Sequence, residues 1–223
     1  MSTANGRATT DRIVWIDCEM TGLSIEHDAL IEVAVLVTDF ELNQLGDGID
    51  VVIAPPAQAL AQMGDFVRQM HTTSGLLTEL AAGVSLAEGQ DRVLNYVRQW
   101  VPEPGKAPLG GNTVGTDRAF LARDMPELEG HLHYRNVDVS SIKEVSRRWY
   151  PRVYFNAPDK RGGHRALGDI RDSIVELRYY REAVFVPAPG PDSARAKTIA
   201  ARHSVPATDA GGASLVDATD ATD

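Results

Sequence analysis

The sequence predicts an α/β domain: a mixed five-stranded sheet, three antiparallel strands and then parallel ones, flanked by helices. Three observations carry that expectation. Apolar, β-branched runs recur three times near the start with short turn-like segments between them, which suggests an antiparallel meander. Further along, short strand-like runs alternate with helical patterns, and strands separated by helices need crossover connections. The last clear pattern spaces Leu167, Ile170, Ile174 and Leu177 by 3, 4 and 3 residues, one face of a helix.

Taken in order, residues 13–18, 29–38 and 49–54 are expected strands, separated by segments such as Gly22-Leu-Ser and Leu45-Gly-Asp-Gly. Helices follow over 57–70, from Ser74, and over 85–100. The third opens with Ser85-Leu-Ala-Glu88, in which hydroxyl and carboxylate satisfy the free N–H groups of a first turn, and sets Leu86, Val93, Val97 and Trp100 along one face. Then 108–111 reads as a strand, 116–123 as a helix, 133–139 as a strand, and 140–149 as a helix capped by Ser141-Ile-Lys-Glu144. A stretch rich in Pro, Gly and Asn leads into a final helix over about 165–183. Residues 1–12 are polar and expected to be a disordered leader. Residues 187–223 hold ten Ala, four Pro and five Asp but no aromatic residue, the composition of a disordered tail. The working domain is thus expected over 13–186.

The 223 residues, 43% of them apolar, suffice for one core of ordinary size. Against 22 Lys and Arg stand 31 Asp and Glu, a net charge of −9. That argues against a protein that coats long nucleic acid, since such binding draws its affinity from a basic surface, but it leaves room for a short nucleic-acid ligand. The acidic excess is either a solvated surface or, in part, a metal site built from carboxylates. With Cys18 the single cysteine, no intramolecular disulfide and no cysteine-based zinc site can form, and a reducing cytoplasm is the expected compartment. The longest aliphatic run, 33–37, is far too short to span a bilayer, and the first 12 residues lack the apolar core of a secretion signal.

The first expected strand contains an anomaly. Asp17 and Glu19 are two apart, so they share a face of an otherwise apolar strand, about 7 Å from each other. Desolvated side by side they repel, which is tolerated mainly when a cation neutralises them; a pair of acids in an exposed turn is the plainer reading. Cys18 between them faces the opposite side, where a small thiol packs well. In Gly110-Gly-Asn112-Thr-Val-Gly-Thr116-Asp117, a strand runs into a Gly-rich turn, and Asp117 falls in a first helical turn, where the helix dipole alone would favour it. In Gly162-Gly-His164-Arg-Ala-Leu-Gly-Asp169, five residues separate histidine and acid, an offset of about 140° that no helix face spans. His164 therefore belongs on the loop or first turn and Asp169 on the helix.

This order of acids and histidine, with the motifs Trp15-Ile-Asp-Cys-Glu-Met-Thr-Gly-Leu23, His71-Thr-Thr-Ser-Gly-Leu76, Gly111-Asn-Thr-Val-Gly-Thr-Asp117, His133-Tyr-Arg135, Asp138-Val-Ser140 and His164-Arg-Ala-Leu-Gly-Asp-Ile170, resembles the DEDDh family of 3′-to-5′ exonucleases, which has an RNase H-like fold. The local wording is similar to members that hydrolyse very short oligoribonucleotides, and it covers residues 13–186.

The resemblance implies two divalent cations, Mg²⁺ or Mn²⁺, held by Asp17, Glu19, Asp117 and Asp169. It implies His164 as general base and nucleoside 5′-monophosphates as products. Leu23 and Phe66 occupy the positions of an apolar wedge between terminal bases, with Phe66 where many relatives carry Trp. Asn112, Thr113 (often Ser in relatives), Tyr134, Arg135 and Ser140 match the substrate clamp and 5′-phosphate cap. Tyr134 stands among the active-site candidates as well. In a homodimer, Tyr134 and Arg135 would act on the partner's substrate, and His71 would line the pocket. The implied partner is single-stranded RNA of two to five nucleotides. Residues 143–165 carry seven basic side chains against two acidic ones, either a positive field near the entering phosphates or a solvated face. Two other readings stand beside this one. A DEDDh exonuclease acting on longer DNA or RNA, in proofreading or tRNA trimming, would need an open basic track. A non-catalytic oligonucleotide-binding module could dispense with some of the acids.

Overall fold

The computed structural model of the protein describes residues 11–159, 163 and 165–204. The chain divides into two units, Met1–Phe185 and Val186–Asp223. The first is built on five strands: β1 (Arg12–Met20), β2 (Leu30–Asp39), β3 (Gln44–Val52), β4 (Pro108–Gly111) and β5 (His133–Asp138). Their spatial order is β3-β2-β1-β4-β5. β1 to β3 are mutually antiparallel, while β4 runs parallel to β1 and β5 parallel to β4. The mixed sheet expected from the sequence is therefore present, with β1 at its centre.

Helices α1 (Ala57–Gln62), α2 (Asp65–Thr73), α3 (Leu76–Glu79) and α4 (Leu86–Trp100) follow β3. Helices α5 (Val114–Asp124) and α6 (Pro126–His131) join β4 to β5, and α7 (Val139–Trp149), α8 (Pro151–Phe155) and α9 (Ala166–Ala183) come after. The pleat of β1 distributes its side chains between two cores. Val14, Ile16 and Cys18 enter the core that contains Val93 and Val97 of α4 and Phe120 and Leu121 of α5. Ile13 and Trp15 enter the other, with Ala34 and Leu36 of β2 and Ile170 and Ile174 of α9. Trp15 is fully buried and donates its indole N–H to Thr38 Oγ1 at 2.9 Å. Gly110 of β4 makes room for it: a Cβ there would lie 2.7 Å from Ile13 Cγ2 and 3.0 Å from the Trp15 ring.

Several boundaries differ from expectation. The helix expected over 57–70 is two helices, because Met63 and Gly64 leave the helical region and Gly64 starts α2 with extended geometry. The segment Leu45-Gly-Asp-Gly lies inside β3, where a register shift opposite Val35 and Val37 uses Gly46 and Gly48 at positive φ. Ser85 caps α4 as expected, accepting the Glu88 N–H at 3.2 Å. By contrast α7 is capped by Asp138, which accepts the Ser140 N–H at 2.9 Å, and α5 starts at Val114, before the expected Thr116. Helix α8, with Pro in its first turn, lies in the stretch expected to be irregular, and α6, which also opens with Pro, lies between two expected elements.

In the second unit, α10 (Ser193–His203) corrects the expectation of disorder over 187–223 for those residues. Alanine is the best helix former, and the Asp192 carboxylate accepts the Arg195 N–H at 2.7 Å. The helix buries none of its residues. Residues 1–10 and 205–223, on which the rest of the leader and tail expectations fall, lie outside the described residues.

Candidate active site and metal centre

Asp17 and Glu19 continue the parity of Ile13 and Trp15, so they emerge on the α9 side of the sheet where β1 runs out of its core. One turn into α9 stands Asp169. Ligand oxygens of Asp17, Glu19 and Asp169 all lie within 4.8 Å of one another. Asp117, in the first turn of α5, lines the same cleft, of about 410 Å³, and its Oδ1 accepts the Cys18 backbone N–H at 3.0 Å. That bond ties the start of α5 to the strand bearing the other acids.

The electrostatics of the cluster are those of carboxylates crowded without enough water. Burial, followed by the charges of Asp117, Glu19, Asp169 and Glu32, pushes the Asp17 carboxyl up to about 9. Burial, then Glu32, Asp169 and Asp117, pushes Glu19 up to about 8. Asp117 rises to about 6, chiefly through burial, and its hydrogen bonds with Cys18 work in the opposite direction. A donor set made wholly of carboxylate oxygens, mutually repelling and partly desolvated, fits a hard divalent cation. Cys18 faces away from the cluster and is buried, and desolvation and the neighbouring acids raise its thiol well above the usual range; it is no nucleophile.

Leu23 and Phe66 are exposed to 76% and 81%, which excludes core packing for either. The loop that presents Leu23 is closed by Asp28, whose carboxylate accepts the Thr21 hydroxyl at 2.8 Å and the Ser24 N–H at 2.9 Å. Arg123 donates to the carbonyls of Ile25 and Asp28 in the same loop. A Cβ on Gly22 would meet the Asp28 carboxylate at 2.4 Å and would push it out of this loop-closing position. Phe66 sits on α2, as does His71. The His71 ring is fully buried, with Nε2 2.9 Å from the Met20 carbonyl oxygen and Nδ1 4.0 Å from Glu19 Oε2. It braces the helix of Phe66 against the end of β1, behind Glu19.

At the other end of the cleft, Asn112 donates to Ser173 Oγ at 2.8 Å and Glu176 Oε2 at 3.2 Å, and accepts the Ser140 hydroxyl at 2.9 Å. Thr113 Oγ1 lies 3.1 Å from Ser140 Oγ, and the Thr113 N–H reaches Asp138 Oδ1 at 3.1 Å. Thr113 holds a left-handed backbone, φ 57°, which turns the chain from β4 into α5. Asn112, Thr113 and Ser140 are thus brought together. Tyr134 and Arg135 are not: they line neither this cleft nor the neighbouring one of about 800 Å³, and the Arg135 guanidinium packs over the exposed Tyr134 ring at 5.4 Å.

His164 lies outside the described residues, as do Lys160 and Arg161. Of the other cations in 143–165, Lys143 pairs with Glu176 at 3.0 Å, Arg148 with Glu144, and Arg165 with Glu32 and Glu79. Three of the five described cations of that segment are thus paired with carboxylates, which weakens the expectation of a positive field.

Sequence reasoning passed over Arg118 and Glu32. Arg118 donates to the carbonyls of His133 and Tyr134 and to Asn136 Oδ1, fixing the start of β5. Glu32 is a fully buried acid in β2. The signal for it was present: it interrupts an apolar strand, the same anomaly that singled out Asp17 and Glu19.

Residues 14–177 match the RNase T exonuclease family. The oligoribonuclease of Streptomyces griseus is 73% identical over 197 residues, which span 88% of this chain and 98% of the relative. The chain belongs to the oligoribonuclease family of exonucleases. Family members from Cutibacterium acnes and a Mycobacterium species are 61% and 55% identical, covering 89% and 90% of this chain and 98% and 94% of theirs. The fold reaches further. The zinc-bound exonuclease I–single-stranded DNA complex of E. coli superimposes with a TM-score of 0.59 at 15% identity, over 78% of this chain and 41% of that one. Exonuclease I of Methylocaldum szegediense gives 0.56 at 20% identity, again over 78% and 41%. At that distance the likeness concerns the fold, whereas the oligoribonuclease relatives match most of both chains.

Proposed function

We propose that the protein is a 3′-to-5′ exoribonuclease that hydrolyses very short single-stranded oligoribonucleotides, dinucleotides above all, to nucleoside 5′-monophosphates. The observation that carries this reading is the convergence of Asp17, Glu19 and Asp169 within 4.8 Å, in a cleft rimmed by an exposed leucine, in a chain of this family. Bound Mg²⁺ or Mn²⁺, two ions in this reading, supplies neutralisation of phosphate charge and a water of lowered pKa. The four acids, Asp17, Glu19, Asp117 and Asp169, hold the ions. His164 takes the proton of the attacking water, a role that suits the imidazole group. Its place in the chain, one residue before Arg165 and five before Asp169, supports that role.

Leu23 and Phe66 offer apolar faces to the bases, and Thr113, Ser140 and Asn112 offer hydroxyl and amide groups to the 5′ phosphate. Tyr134 and Arg135, exposed and away from the cleft, close the site of a second copy. Trp149 and Phe155, exposed large apolar side chains on α7 and α8, supply a face for that copy. Among the described residues no helix is long and apolar enough to cross a membrane, and a single buried thiol suits the cytoplasm where we place the protein.

The test incubates purified protein and Mg²⁺ with 5′-labelled RNA of two and of about twenty nucleotides. Rapid cleavage of the dinucleotide with poor attack on the longer strand is expected. The opposite preference points to a family member for long substrates, and no cleavage of either points to a binding module. Light scattering of Trp149→Glu, expected to be monomeric where the parent is dimeric, tests the second copy.

A further inference from the structure

We propose that Glu32 and Arg165 are positioning residues for the metal centre: together they pin the first turn of α9, and with it Asp169, against β2, the neighbour of the strand that bears Asp17 and Glu19. The proposal rests on the metal-dependent reading of the site.

Glu32 stands on β2 directly opposite Glu19 of β1, and its side chain is fully buried. One carboxylate oxygen accepts the N–H of Ala166, the first residue of α9, at 3.0 Å; the other accepts Arg165 Nε at 2.9 Å and lies 2.8 Å from its Nη2. A helix start leaves its first N–H groups without intrahelical partners, and Arg165, at the N-cap position of α9, provides no side-chain cap. Glu32 supplies that acceptor from another element. The guanidinium extends the clamp. It donates to both carboxylate oxygens of Glu79 on α3, at 2.9 and 3.0 Å, and lies 3.8 Å from Asp50 of β3. Three elements thus converge on one residue. The path from there to the metal centre is one backbone hydrogen bond long: Asp169 N–H donates to the Arg165 carbonyl at 3.0 Å.

The chemistry explains why a charged clamp is used. A buried ion pair seldom outdoes an apolar pair of similar volume in stability, but its forked hydrogen bonds fix direction. Metal ligands tolerate displacements of only about 0.5 Å. An apolar contact at the start of α9 would hold the helix near the sheet and leave its rotation loose.

The experiment uses the full chain, with Mn²⁺ binding followed by calorimetry in the absence of substrate and initial rates measured on a labelled dinucleotide. Arg165→Gln removes a positive charge from beside the acids, so on charge alone Mn²⁺ should bind more tightly. Positioning predicts the reverse. Mn²⁺ binds roughly 5-fold more weakly, and kcat at saturating Mn²⁺ falls roughly 10-fold or more with KM little changed, as expected for a misplaced ligand. Arg165→Lys, which keeps the charge without the fork, recovers part of kcat. Tighter or unchanged Mn²⁺ binding by Arg165→Gln, or full kcat at saturating Mn²⁺, overturns the proposal. Should Arg165→Gln fail to fold, Glu79→Gln at the half-exposed end of the clamp is expected to shift both quantities in the same direction, and no shift in either overturns it. Asp17→Asn separates the two levels. If it binds Mn²⁺ like the parent, the metal reading falls and this proposal with it; if it loses Mn²⁺ while Arg165→Gln does not, positioning alone falls.

Discussion

Glu32 and Asp17 lie on neighbouring strands, face the same side of the sheet and are both largely desolvated, yet their surroundings are opposite in sign. Glu32 meets a guanidinium and a backbone N–H. Asp17 meets Asp117, Glu19, Asp169 and Glu32, and its carboxyl is pushed up to about 9. A buried acid matched by a cation of the protein belongs to the scaffold. A buried acid surrounded by acids is held there at the expense of stability and is completed by a cation from outside.

The contrast is broken or sharpened first by substitution. Asp17→Asn is expected to lower turnover of a dinucleotide by about 10³-fold or more, because it removes a ligand from a charge-stabilising centre. The same change relieves repulsion, so the metal-free protein should melt about 2 °C or more higher. Glu32→Ala should do the reverse to stability, costing on the order of 3 kcal/mol by leaving Arg165 without its buried partner. Calorimetry of both variants without metal decides the matter. A lower melting temperature for Asp17→Asn would show that the cluster is a structural network and the two acids are alike.

The second lever is pH. In the folded, metal-free protein Asp17 and Glu19 keep their protons until about pH 9 and 8, whereas in the unfolded chain they lose them near 4. Between those limits the unfolded state binds fewer protons, so stability falls as pH rises. Stability from these groups is fully present below about pH 4 and lost through pH 8 to 9. Melting temperatures without metal should therefore decline from pH 5 to 9. Saturating Mg²⁺, which competes with the protons, should flatten the decline. A metal-free melting temperature that is level or rising over that range would count against the crowding of these acids.

A smaller effect concerns the wedge. Leu23 sits in a loop locked by Asp28 and Arg123, whereas Phe66 rides on a helix braced by His71. Base stacking on an aromatic side chain contributes about 1–3 kcal/mol, so Phe66→Ala should raise KM for a dinucleotide about 10-fold with kcat less affected. Phe66→Trp should lower it. Equal kinetics for parent, Ala and Trp variants would remove Phe66 from the site.

The legible parts of the molecule were those with a short period. Alternation along β1 exposed Asp17 and Glu19, and the break from strand to Gly-rich turn exposed Asp117. What stayed hidden depends on partners distant in the chain. Glu32 looks like one stray acid until Arg165, 133 residues away, is seen to meet it. The contact of the His71 ring with the Met20 carbonyl, 51 residues away, is hidden in the same way. Caps were missed where a backbone turn does the work, as at Thr113 in its left-handed conformation. The tail misled because alanine lowers hydrophobicity and aromatic content, the marks of disorder, while favouring helix.

The smallest expected effect bears on the cations. If the contrast between matched and unmatched charge holds for them too, Arg148, paired with Glu144 one helical turn away, contributes little to a substrate's field. Both side chains are more than half exposed, where such a pair contributes less than about 1 kcal/mol. Arg147 packs its guanidinium over the Tyr154 ring at 5.7 Å. Reversing both to Glu should change KM for a dinucleotide by about 2-fold or less at 0.15 M salt, where surface charges act over only about 8 Å. The salt dependence of KM should be shallow in parent and variant alike, since a dinucleotide brings very few phosphates to be neutralised. A steep salt slope in the parent that the double reversal abolishes would show that these two arginines do steer the substrate, and that pairing on the surface, unlike the pairing of Glu32, leaves a charge free to act.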